Sequence, residues 1–176
     1  MQRVAEEAEL NEFVVARSSA LMRTAYLLTQ DHQLAEDLVQ TALFKAALQW
    51  RRITGDPEPY VRRILYTESI SWWRRRTRRV AESALRYDDE RSGVGVDADV
   101  DVDVDLQLSL ERALQRLTPR QRAVLVLRYY EDSTEVEAAR VLGVGVGTVK
   151  SMHRQALARL RVAAPDLGEL IGVDHE

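Results

Sequence analysis

Apolar residues recur every three to four positions through most of this chain, which is the spacing of a helix face. From Leu10 to Leu28 the set Phe13, Val14, Leu21, Ala25 and Leu28 marks one such face. Asp31 stands where a second helix needs a side-chain cap, and the spacing carries that helix to about Trp50 with Leu34, Leu38, Leu43 and Ala47 inward. Thr54-Gly55-Asp56-Pro57 then breaks the pattern. Asp56 suits the cap of a third helix and Pro57 its first position, where proline has no needed N–H to lose. That helix is predicted to reach about Arg79. Helical spacing resumes at Leu106. Thr118-Pro119-Arg120-Gln121 has the form of a capping box with proline at the first helical position. Its helix carries Val124, Leu125 and Leu127 and ends near Glu131. Thr134 and Glu137 form a second box, opening a short helix through Leu142. Gly143-Val144-Gly145 makes a turn, and a last helix runs from about Val146 to Val162. The expected fold class is all-α.

Residues 81–106 depart from this pattern. Ser92-Gly93-Val94-Gly95 interrupts any helix, and Asp97 to Asp105 alternates Asp with Val or Ala. Alternation is a strand signal, but here five aspartates would stack on one face, and Asp is a poor strand former. A solvated linker fits better. A calcium loop starting at Asp99 fails on spacing, with Val104 at the glycine position and Leu110 at the closing glutamate position. The reading is therefore two small helical domains, 1–80 and 107–163, joined by a flexible acidic linker, 81–106, with a tail at 164–176.

Charge sharpens the division. The net charge of −3 conceals 13 Lys/Arg against 10 Asp/Glu in residues 1–80, 2 against 10 in 81–111, and 10 against 8 in 112–176. Two mildly basic blocks flank an acidic stretch, and local charge matters for nucleic acid more than the mean. The chain has no cysteine, which excludes disulfides, thiolate metal sites and cysteine nucleophiles and fits a reducing cytoplasm. No apolar run has the length of a membrane span, and Met1 to Leu10 is acidic without an apolar signal core. The three histidines, His32, His153 and His175, are widely spaced, and no nucleophile motif or metal spacing accompanies them. The sequence thus reads as a non-enzyme without cofactor or metal.

Three constellations carry chemistry. Residues 134–161 have the helix, glycine turn, helix layout of a helix-turn-helix, with Ala138, Ala139, Leu142, Val149, Ala156, Leu157 and Leu160 inward. Lys150, Ser151, His153, Arg154 and Gln155 are available to face outward. No acid stands between Lys150 and Arg161, as suits a groove lined by phosphates. In this reading Arg159 contributes charge alone. A phosphate loop at Gly143 to Lys150 has the wrong spacing and no preceding strand. Secondly, Trp72-Trp73 precedes five arginines in six residues, from Arg74 to Arg79. Aromatics beside arginine suit unstacked bases of a single strand. Adjacent tryptophans lie about 100° apart on a helix, so core and binding roles stay open for each. Thirdly, Ala35-Glu36-Asp37-Leu38-Val39-Gln40 is an amphipathic helix segment in which Asp37, Gln40 and Thr41 share a face apart from Leu34 and Leu38. By itself this is ordinary.

In this order the segments resemble the extracytoplasmic-function (ECF) sigma factors of bacterial RNA polymerase. The resemblance rests on Ala35 to Gln40, on Tyr60-Val-Arg-Arg-Ile-Leu65 running into Trp72-Trp-Arg-Arg-Arg76, on Leu117-Thr-Pro-Arg-Gln-Arg122 and on Val146-Gly-Thr-Val-Lys-Ser151. The Trp-Trp-Arg-Arg-Arg run is similar to an actinobacterial, SigE-like branch. The resemblance implies a first domain that docks on the clamp of core polymerase through Asp37, Leu38, Gln40 and Thr41. The same domain opens the minus-ten element with Arg63, Thr67, Trp72, Trp73, Arg74, Arg75 and Arg76. It implies a second domain that contacts the polymerase flap and reads the minus-thirty-five element with Arg120, Thr148, Lys150, Ser151, Arg154 and Gln155. An anti-sigma factor is a further partner of this class, and no membrane insertion is implied. Many family members have Asn where Thr67 stands; one hydroxyl offers fewer fixed donors and acceptors than an amide, so the family's base identity at that position does not carry over. The acidic linker, at most about 85 Å when extended, bridges two promoter elements about 50 Å apart with slack. From the residues alone, the competing reading is a stand-alone helix-turn-helix regulator, which would lack tight binding to core polymerase.

Overall fold

The computed structural model describes residues 2–83 and 104–165, and every regular element among them is helical. The chain divides into two units, Met1–Val94 and Gly95–Glu176.

In the first unit α1 (Gln2–Thr29), α2 (His32–Gln49) and α3 (Glu58–Ser83) form a three-helix arrangement in which α2 packs on both others. The buried stripe of α2 is Ala35, Leu38, Val39, Ala42 and Ala46. Three of its five members are alanine, which lets the neighbouring helices approach closely, and Leu21 and Ala25 of α1 and Val61 and Leu65 of α3 complete the core. Asp31 caps α2 as expected, its Oδ1 accepting from the Leu34 N–H at 2.9 Å. Gln30 before it adopts the left-handed conformation, φ 57°, and its side-chain amide donates to the Leu27 carbonyl at 3.0 Å. A single 3-10 turn, Trp50–Arg52, follows α2, and the Trp50 ring packs on Phe13 at 5.6 Å.

Two boundaries differ from the sequence reading. α1 begins at Gln2 rather than Leu10. Its first turns are rich in Ala and Glu, strong helix formers that continue a helix without an apolar period to announce it. α3 begins at Glu58, one residue beyond Pro57, with Asp56 Oδ1 accepting from the Glu58 N–H at 3.0 Å. α3 continues to Ser83 and α4 starts at Val104, so both ends of the expected linker are helical. The rest of it, 84–103, and the tail from 166 onward lie outside the described residues.

In the second unit α4 (Val104–Gln115), α5 (Pro119–Leu125), α6 (Glu135–Leu142) and α7 (Val146–Ala163) enclose a core that includes Leu114, Val124, Leu127, Ala138, Ala139, Val149, Ala156 and Leu160. Both capping boxes are formed. Thr134 and Glu137 close theirs at 2.7 and 3.2 Å. The helix expected to run to Glu131 instead widens after Leu125 into a π turn, Val126–Tyr130. The Glu131 N–H reaches the Val126 carbonyl at 3.0 Å and the Ser133 N–H reaches the Leu127 carbonyl at 2.8 Å. The Arg128 guanidinium donates to the Ser133 carbonyl and ties the widened turn shut.

Gly143 ends α6 at φ 66° and ψ 36°. A Cβ there would meet nothing within 4 Å, so the constraint is conformational rather than steric. Gly143→Ala is therefore expected to destabilise the second unit by about 1–2 kcal/mol, and Gly143→Asn by less. Urea denaturation of the three proteins, followed by circular dichroism, measures the order.

Candidate nucleic-acid interface

The outward face of α2 is the reverse of its alanine stripe. Asp37 and Gln40 are exposed and Thr41 is half-buried, so three of the four expected docking residues come together on one side. Leu38 differs: at 7% exposure it belongs to the core, because its position on the helix turns it toward α1 and α3. It holds the face in place rather than forming part of it. The sequence reading missed Phe44 and Leu48, exposed at 65% and 66%. They continue the same face at the spacing 37, 41, 44, 48, a signal that periodicity alone could have shown.

α3 carries two distinct sides. With about 100° per residue, Arg63, Thr67 and Arg74 fall within roughly 40° of one another, and both arginines are exposed. Trp72 lies on the opposite side with Val61 and Leu65, continuing the core stripe beyond the bundle. Trp72 and Trp73 are both half-buried, as adjacency required, and their rings meet edge to face at 4.8 Å. The Arg76 guanidinium sits 5.3 Å from the Trp72 ring and 5.8 Å from that of Trp73. Such a contact holds the cation over the aromatic faces. Arg74 and Arg75 are exposed. Asp37, Thr41, Glu68, Trp72 and Arg75 line one cleft between α2 and α3, so the two site groups of this unit adjoin. The Thr67 hydroxyl is engaged locally, donating to the Arg63 carbonyl at 2.8 Å, which leaves its oxygen as an acceptor.

In the second unit the buried stripe Val149, Ala156 and Leu160 fixes the rotation of α7. Lys150, Arg154, Ser151 and Gln155 then span an outward arc of about 140°, with Lys150, Arg154 and Gln155 exposed. Thr148 is exposed at the start of α7 and Arg120 near the start of α5. Lys150 lies 3.6 Å from Glu135 across the helix-turn-helix. His153, expected outward, is half-buried instead: its place on the helix is next to the core stripe, and its Nε2 lies 3.1 Å from the Tyr129 hydroxyl presented by the π turn. Arg159 also differs from a free charge, since its guanidinium donates to the Gln121 side-chain oxygen at 3.0 Å.

Comparison with known proteins bears on both units. Residues 13–79 match sigma-70 region 2 and residues 113–162 match sigma-70 region 4. The RNA polymerase sigma-E factor of Streptomyces coelicolor is 36% identical over 89% of this chain and 86% of its own length. The ECF RNA polymerase sigma factor SigL of Mycobacterium tuberculosis is 29% identical over 93% of each. Among solved structures, the sigma factor RpoE of Bartonella quintana, in complex with the anti-sigma factor NepR, matches with a TM-score of 0.71 at 28% identity. That match covers 95% of this chain and 99% of the other.

Burial holds the His153 imidazole below its ordinary value of 6.5, the Arg128 charge adds to this, and Glu135 opposes it. The folded state therefore binds fewer protons than the unfolded state as pH falls through 6.5, and stability present above that value is lost toward the lower folded value. His153→Gln should flatten this acid-side loss. Melting temperatures of both proteins between pH 7.5 and about 5 read the difference; parallel curves would contradict it.

Proposed function

This chain belongs to the sigma-70 family, in its ECF group, and directs RNA polymerase to promoters; we propose that its two units divide that task. The observation that carries the division is the α7 surface. It is an outward arc of Lys150, Ser151, Arg154 and Gln155 on a helix-turn-helix, with no acidic residue from Lys150 to Arg161. Such a helix enters a major groove without repulsion from phosphates. The second unit reads the minus-thirty-five element with this arc. Thr148 and Arg120 contact the backbone beside it, and the unit also contacts the polymerase flap.

The first unit docks on the polymerase clamp through Asp37, Gln40 and Thr41, held by buried Leu38. The Arg63, Thr67 and Arg74 side of α3 tracks the opened minus-ten strand, and Arg75, exposed at the cleft beside Trp72, adds charge one step round the helix. Thr67 offers an acceptor to an unstacked base. Trp72 and Trp73, braced by Arg76, stiffen the end of that helix. No step of this work breaks a covalent bond in the chain's own site, so the protein acts as an initiation factor rather than an enzyme and uses no cofactor. Its place of action is the cytoplasm, where polymerase and template meet. The Bartonella quintana neighbour was solved with an anti-sigma factor, and a regulator of that class is a fitting partner for this chain.

Run-off transcription with core polymerase and a promoter library tests the whole reading, since a factor without initiation activity gives no defined transcript. Two variants test its parts. Asp37→Arg is expected to abolish co-purification with core polymerase while leaving circular dichroism unchanged, because Asp37 is exposed and the core lies behind it. Arg74→Glu with Arg75→Glu should remove the permanganate-reactive bubble at the minus-ten element while closed-complex binding persists. Reversing two charges against a strand of phosphates replaces attraction with repulsion. A normal footprint from the double variant would reduce these arginines to a solvated helix end.

A further inference from the structure

Gln121 is 4% exposed and lies in α5, outside the helix that faces DNA, yet its side chain reaches that helix twice. Its Oε1 accepts from the Thr118 N–H at 3.2 Å and from the Arg159 guanidinium at 3.0 Å. Its Nε2 donates to Gln155 Oε1 at 3.3 Å, and Gln155 Nε2 in turn donates to Ser151 Oγ at 3.2 Å. The chain of bonds runs from two groups that can only donate to two residues of the proposed reading arc.

We infer that Gln121 and Arg159 are positioning residues for promoter specificity, which fix the polarity of the Gln155 carboxamide and so the kind of base edge it accepts. A backbone N–H and a guanidinium offer no acceptor. The side-chain oxygen of Gln121 must therefore face Thr118 and Arg159, and its NH2 group must face Gln155. Gln155 meets that donor with its oxygen, which turns its own NH2 toward Ser151 and the outer surface. The Ser151 hydroxyl accepts from that NH2 and keeps its proton to give. The surface offered by Ser151 and Gln155 is thereby rich in donors. In the major groove such a surface suits the acceptors of guanine, N7 and O6, or thymine O4, over the amino group of cytosine. Arg159 is then more than a charge, although it need not touch a base.

This inference rests on the reading of α7 as the DNA-contacting helix, and one substitution separates the two. Gln121→Glu retains an acceptor for Thr118 and Arg159 and keeps the capping box, for which Glu is an ordinary third residue. It removes the Nε2 donor that Gln155 Oε1 accepts from. The Gln155 amide is then expected to reverse, giving its NH2 to the new carboxylate and its oxygen to Ser151 and the groove. Run-off transcription with core polymerase on templates randomised across the minus-thirty-five element reads the outcome. For Gln121→Glu we expect the preference at one or two adjacent positions to move from guanine or thymine toward cytosine or the adenine amino group, by about five- to tenfold. Arg159→Ala should weaken the wild-type preference at those same positions, whereas Arg159→Lys should restore most of it. Circular dichroism and melting of each variant verify folding. If Gln155→Ala alters the profile and Gln121→Glu leaves it as in the wild type, the relay is overturned while the reading of α7 stands. If Gln155→Ala itself leaves the profile unchanged, both fall.

Discussion

A helix buried along one side has no freedom to choose what it shows on the other. This constraint sets which residues α2 and α7 turn outward. On α2 the stripe Ala35, Leu38, Val39, Ala42 and Ala46 fixes rotation about the axis, and Asp37, Gln40 and Thr41 follow on the reverse side. On α7 the stripe Val149, Ala156 and Leu160 does the same for Lys150, Ser151, Arg154 and Gln155. Alanine recurs in both stripes, so neighbouring helices come close and the rotation has little slack. Leu38 and the α7 arc are linked by this logic: one is buried, the other faces outward, and the place of each is set by the packing of its own unit.

Charge is arranged on top of that geometry. Lys45 pairs with Glu68 at 2.5 Å and Arg51 with Glu6 at 2.7 Å, exposed pairs that contribute little to stability. Arg76 is drawn over two tryptophan rings. Arg74, Arg75 and Arg154 are exposed on the surfaces assigned to DNA. Lys150 is intermediate, since Glu135 stands 3.6 Å away. A phosphate approaching Lys150 competes with a carboxylate, whereas one approaching Arg154 meets a more open cation.

How much of this could be read from the sequence follows from the range of each interaction. Both capping boxes, the Asp31 cap and the αL glycine at Gly143 join residues within a few positions of one another, and the local pattern announces them. The buried stripes were visible in the same way, through periodicity. The start of α1 was not, because Ala and Glu extend a helix without an apolar period. Nor was the π turn at Val126–Tyr130, where the Arg128 guanidinium donates to the Ser133 carbonyl, a contact that no apolar period announces. His153 is half-buried rather than fully outward, and its contact with Tyr129 of that turn joins residues 24 positions apart. Within the candidate site, the exposed residues of α2 and α7 were legible one by one, but the split of α3 into an arginine side and a tryptophan side needed the helix wheel to be set by the core. The contacts of Gln121 with residues 34 and 38 positions away leave no trace in spacing at all.

Those contacts have a consequence for transplantation. Promoter readers are tempting to treat as cassettes, with the outward residues of one helix moved onto another scaffold. Here the orientation of Gln155 is held by a residue of α5, which in turn is held by the cap of α5 and by Arg159. A graft limited to the outward arc of α7 would carry its charges and its hydrogen-bonding groups but not the arrangement that aims one of them. The portable module is therefore α5, the π turn, α6 and α7 taken together, and a recombinant factor with a junction inside that stretch would inherit affinity from one parent and selectivity from neither.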